Sequence, residues 1–71
     1  MKMKAIKFNN LSYHMQYKAV KLMSENGSGF AGKLADLYQV ADLTNQEILY
    51  KSFKSIFDKY AIEAKNLYQI A

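Results

Sequence analysis

An all-α fold is predicted by three features of the sequence. Proline is absent, the only glycines lie between Gly27 and Gly32, and apolar residues elsewhere recur at spacings of three and four. A chain with so little punctuation favours long helices over many short strands. Its 71 residues are expected to make a single helical domain over 1–71, a small three-helix fold with a long C-terminal helix. That size is near the lower limit for unaided folding, since a domain of about 60 residues buries only about 60% of the surface its unfolded chain exposes. There is no cysteine, which excludes disulfides and thiolate zinc sites. His14 alone cannot build a metal site, and no cofactor is expected. Small domains without such staples gain stability from self-association or a partner, so a homo-oligomer is expected.

The first eight residues, MKMKAIKF, alternate lysine with apolar residues and lose the alternation at Ala5-Ile6. No second strand candidate exists to pair with them, so residues 1–8 should form an arm lying on the helices or a frayed tail. The first helix is expected from about 11 to 25, capped by Asn9 or Asn10 and stopped by a left-handed turn at Asn26-Gly27. At roughly 100° per residue, Leu11, Met15, Ala19, Leu22 and Met23 share one face, with His14, Lys18, Lys21 and Glu25 opposite. Tyr13, Tyr17 and Val20 form a separate ridge on neither side.

The second helix is expected from about 29 to 42, with Ser28 as N-cap. Phe30, Leu34, Leu37, Tyr38 and Ala41 make its apolar stripe, while Lys33, Asp36 and Gln39 face out. Thr44, Asn45, Gln46 and Glu47 read as a capping box that starts a third helix over 45–70. Its main stripe is Leu49, Phe53, Ile56, Tyr60, Ala64 and Leu67, widened along one edge by Tyr50, Phe57 and Tyr68. Glu47 and Lys51 stand in the favourable i,i+4 order on the wet face. Ile48 and Ile62 break the pattern by pointing into that polar side.

At 1.5 Å per residue this third helix would run about 39 Å, against about 22 Å and 21 Å for the others. A compact bundle would leave its far half uncovered. Tyr60, Ala64, Leu67 and Tyr68 are therefore expected to mediate self-association.

The stretch 27–33, GSGFAGK, has the spacing of a phosphate-binding loop, but Leu34 stands where a serine or threonine would hold magnesium. The strand such a loop needs before it is also missing. It reads as a turn followed by a helix start, where Lys33 could assist a bound anion. The second and third helices share the order of a helix-turn-helix, with Asn45 and Gln46 placed to read adenine edges. The match is degenerate: Gln39 takes the usual turn glycine's place, Asn45 falls at a normally buried position, and there is no arginine for guanine.

No nucleophile, base and stabiliser assemble from these residues, and the carboxylates are spread singly, so no enzyme is expected. The expected function is a small protein-binding module, a regulator, adaptor or inhibitor. Tyrosine suits such surfaces because it offers large contact area with few rotors to freeze. Tyr13, Tyr17, Val20, Ile48 and Ile62 are the candidate contacts. The alternative is a nucleic-acid-binding regulator, since the net charge is +4 and all ten basic residues are lysine. Lys2, Lys4, Lys7, Lys18, Lys21 and Lys33 are its candidate nucleic-acid or anion contacts.

No run approaches the roughly 20 apolar residues needed to span a bilayer. The N-terminal residues resemble neither a signal peptide nor an anchor. A cytoplasmic location without membrane partners is expected. The lysine-, asparagine- and isoleucine-rich composition is that of AT-rich genomes, which suggests a phage or mobile-element protein.

Overall fold

The computed structural model describes residues 6–27 and 29–68, with the backbone alone for Tyr68. A 3-10 turn, Phe8–Asn10, precedes four helices: α1, Tyr13–Asn26; α2, Gly29–Val40; α3, Leu43–Ser52; and α4, Lys54–Tyr68. The fold is all-helical, as expected, but the third helix is two. Phe53 leaves the helical region, at φ −129° and ψ 41°, although its N–H still reaches the carbonyl of Leu49 at 3.0 Å. A single 39 Å rod would outrun the 36 Å longest extent of the molecule. The break turns α4 back to pack beside α1.

The central element is α1, which packs against both α2 and α4. Met15, Ala19, Leu22 and Met23 are buried, as their shared face predicts, and Leu11 is packed against them. Val20 is buried too, at 3% exposure. A helix with neighbours on two sides buries a second ridge, and this corrects the assignment of Val20 to an exposed contact surface.

Tyr60 and Ala64 need the same correction, being 8% and 0% exposed. Once the rod breaks at Phe53, these residues meet the chain's own core and no other molecule is needed to cover them. Leu67 stays exposed, and the Tyr68 side chain lies outside the described residues. In α2, Leu34 and Ala35 are buried while Phe30 and Leu37 are more than half exposed, so the true inner face is rotated from the expected stripe.

The arm is ordered where it is described. Lys7 is extended, which places Ile6 and Phe8 on one side. Phe8 is 1% exposed and inserts into an aromatic cluster: it stacks on Tyr50 at 5.6 Å and meets Phe57 at 5.1 Å and Tyr38 at 5.6 Å. Its N–H donates to Asp58 Oδ1 at 2.8 Å, and Gln16 Nε2 donates to its carbonyl at 3.2 Å.

The caps differ from those expected. Ser12 Oγ accepts from the Met15 N–H at 3.2 Å and starts α1, while Asn9 and Asn10 belong to the preceding turn. Asp42 Oδ1 accepts from the Asn45 N–H at 2.9 Å and starts α3, so Thr44 falls inside the first turn of the helix. Glu47 pairs with Lys51 at 3.4 Å rather than closing a capping box. Gly27 ends α1 at φ −74°, outside the left-handed region. Ser28, expected to cap α2, lies outside the described residues.

Candidate functional site

A cleft of about 280 Å³ opens between α1, α2 and the start of α3. Tyr13, Gln16, Tyr17 and Val20 line one wall, Tyr38 and Gln39 the other, and Gln46 closes one end. The ridge on α1 thus reappears as a wall, with buried Val20 as its floor and Tyr13 and Tyr17, at 81% and 62% exposure, as its rim. These two tyrosines stand four residues apart, which puts them on one helix face about 6 Å from each other.

Two of the cleft's carboxamides are fixed by backbone carbonyls. Gln16 Nε2 donates to Phe8 O and Leu11 O, both at 3.2 Å, and Gln46 Nε2 donates to Tyr38 O at 2.9 Å. Their Nε2 groups face the chain's own backbone, which leaves each Oε1 as an acceptor. Gln39 is exposed. Burial raises the pKa of Tyr38 above its ordinary value, and the neighbouring Tyr13 adds to the shift. The Tyr38 hydroxyl therefore remains a neutral donor at physiological pH. No charged residue lines the cleft.

The other candidate residues do not join this site. Ile48 is 53% exposed on α3 and Ile62 43% exposed on α4, and neither lines the cleft. Lys7, Lys21 and Lys33 are exposed, Lys18 is half-buried, and Lys2 and Lys4 lie outside the described residues. Gly32 and Lys33 sit inside α2, and the residues before Gly27 belong to α1, so the phosphate-loop spacing falls on helix. Among the described residues no group of three or more histidines or carboxylates could hold a metal ion. No described helix is long and apolar enough to cross a membrane.

Of the candidate contact residues, Tyr13, Tyr17 and Val20 line the cleft, with Val20 buried and the two tyrosines exposed. Tyr38 packs against the core and Gln39 is exposed, as the apolar stripe of α2 predicts, and the packing of α2 on α1 brings both to the cleft. No periodicity marks Gln16, whose place in the cleft follows from its bonds to the Phe8 and Leu11 carbonyls. Compared with protein-family models, curated proteins and solved structures, the chain matches none.

Proposed function

We propose that this chain is a small non-enzymatic module that binds another protein, acting as a regulator, adaptor or inhibitor. The observation that carries this reading is the exposure of Tyr13 and Tyr17 on the rim of a cleft whose floor is apolar. Monomers seldom expose contiguous apolar surface without using it, and tyrosine is enriched among residues that dominate binding energy. Four of the six carboxylates have structural partners. Asp58 holds Phe8 and Tyr50, Asp36 accepts from Ser24, Asp42 caps α3, and Glu47 pairs with Lys51.

The helix-turn-helix alternative is disfavoured by the outer face of α3. It presents exposed Leu43 and Ile48, and its lysine, Lys51, is paired with an acid. Gel shifts across a salt series separate the readings, since phosphate contacts make affinity fall steeply with salt. The decisive experiment for the module is capture of partners by the parent chain and by Tyr17→Ala. Loss of a captured protein with an unchanged melting temperature supports the reading, and identical capture by both chains overturns it.

The expected homo-oligomer belongs to the same proposal, with Leu67 as its contact residue. Sedimentation of the parent chain beside Leu67→Asp tests it, and equal monomeric profiles count against it.

A further inference from the structure

We propose that the outer side of α2 is the face through which two copies of this chain pair, antiparallel, about a two-fold axis. This rests on the self-association in the reading above and names its surface.

The fold leaves one side of α2 uncovered. Ala31, Gly32, Leu34, Ala35 and Tyr38 are buried or half-buried, whereas Phe30, Lys33, Leu37 and Val40 are exposed. At 100° per residue these four fall within about 80° of arc, so they form one continuous stripe. Phe30 meets Phe53 at 5.4 Å yet stays 59% exposed, while Leu37 and Val40 are 52% and 80% exposed. Leu43, at 74% exposure, carries apolar surface on past the end of the helix.

Area is the first argument for a second copy. At about 170 Å² for a fully exposed large side chain, Phe30, Leu37, Val40 and Leu43 present roughly 450 Å² on each copy. Two copies bring about 900 Å² together. The Lys33 stems and the exposed Gly29 backbone carry the contact past the roughly 1,000 Å² that a specific interface needs.

Charge is the second argument. The chain carries +4, which sets two copies against each other in most orientations, but α2 holds only Lys33 and Asp36 and is neutral. Lys33 makes no ion pair among the described residues. Asp36 takes the Ser24 hydroxyl on Oδ1 at 2.9 Å and keeps Oδ2 for another donor.

Spacing is the third. Phe30, Lys33, Leu37 and Val40 follow at intervals of three, four and three, the repeat of a two-helix seam, in which a single lysine fixes the register. An antiparallel pair with its axis level with Ala35 sets Phe30 against the partner's Val40. The same register brings Lys33 beside the partner's Asp36 and the partner's Leu37. A parallel pair would instead set lysine on lysine. The contact is isologous, so each match occurs twice.

The test is sedimentation equilibrium of the full chain up to millimolar concentration, beside Val40→Glu, Lys33→Asp and the double variant Lys33→Asp/Asp36→Lys. All three positions are exposed, so the melting temperature of dilute samples should hardly move. A reversible species of twice the chain's mass is expected for the parent. Val40→Glu should weaken pairing about tenfold or more, because it places a charge against an apolar ring. Lys33→Asp sets like charges against each other and should also weaken pairing, and the double variant should recover it. Tyr17→Ala should pair as the parent does.

A parent that stays monomeric overturns the proposal, as does a Val40→Glu chain that pairs as tightly as the parent. Failure of the double variant to recover what Lys33→Asp loses overturns it as well. Should pairing survive Val40→Glu yet be lost in Leu67→Asp, self-association stands and α2 is not its surface.

Discussion

The backbone N–H of Phe8 donates to Asp58 Oδ1 at 2.8 Å, joining residues fifty positions apart. The same oxygen accepts the Tyr50 hydroxyl at 3.0 Å. One carboxylate therefore ties the N-terminal segment, α3 and α4 together, and it does so around the aromatic cluster that Phe8 fills. Hydrogen bonds to a charged acceptor contribute about 1.5–3 kcal/mol each, but Asp58 is half-buried and water softens the loss. Asp58→Ala is expected to destabilise the fold by about 2 kcal/mol and to expose the Phe8 amide to hydrogen exchange. Phe8→Ala should cost more, about 3–5 kcal/mol, because it empties a site that is 1% exposed. Urea unfolding of both variants checks the order.

Tyr50 gives the fold a dependence on alkaline pH. Burial holds its hydroxyl above the ordinary value of 10.0. The hydrogen bond to Asp58 and the Asp58 charge add to the shift, while the Asn9 backbone opposes it. Above pH 10 the unfolded chain loses this proton while the folded chain keeps it, so rising pH favours unfolding. The stabilisation is complete below about pH 10 and is lost as pH climbs through the raised folded value. Tyr50→Phe should flatten part of that fall, and Tyr38, raised for the same first reason, accounts for another part. Urea midpoints at pH 9, 10 and 11 for the two chains, compared with each other, cancel the lysines that titrate in the same range. Parallel curves would refute the assignment.

The break at Phe53 shows what periodicity can and cannot reveal. Tyr50, Phe57, Tyr60, Ala61 and Ala64 are the buried residues of this half, and their spacings of seven, three, one and three are those of an unbroken helix. Neither glycine nor proline marks the break. Its cause is tertiary: Phe53 packs edge-on against Phe30 at 5.4 Å, while Phe57 enters the Phe8 cluster. The all-helical class, the buried face of α1 and the Glu47–Lys51 pair were legible because each depends on residues within a few turns. Phe8 was not, since its burial depends on Asp58, fifty positions away. The cleft was half legible for a related reason: one helix carries Tyr13 and Tyr17, and only packing brings Tyr38 opposite.

Gly27 and Gly29 should respond oppositely to alanine. A Cβ at Gly27 would collide with the Met23 carbonyl and come within 2.9 Å of the Ala31 Cβ, where α1 and α2 approach each other. Gly27→Ala should cost about 1–3 kcal/mol, as overpacking does. At Gly29 an added Cβ meets nothing within 4 Å. Gly29→Ala should stabilise the fold by up to about 1 kcal/mol, the helix-propensity gain over glycine. Thermal melts of the two variants beside the parent chain decide it, and shifts of the same sign would contradict the account.

Asp42 and Thr44 offer the sharpest local comparison, because the sequence pattern favours one and the geometry the other. Thr44 with Glu47 has the spacing of a capping box, yet the helix begins at Leu43 and the N-cap is Asp42. Its carboxylate accepts from the Asn45 N–H at 2.9 Å, and its charge also faces the positive end of the α3 dipole. Thr44 is exposed in the first turn, where its side chain does no capping. Asp42→Ala should therefore cost about 1 kcal/mol, the usual loss for an N-cap, while Thr44→Ala should change stability by less than about 0.5 kcal/mol. The link between α2 and α3 sharpens the contrast, because Gln46 bonds the Tyr38 carbonyl from the same first turn. Fraying of α3 in Asp42→Ala should then loosen the end of the cleft, seen as faster amide exchange at Gln46 and added mobility at the Gln46 carboxamide. An equal or larger loss in Thr44→Ala would return the cap to the threonine.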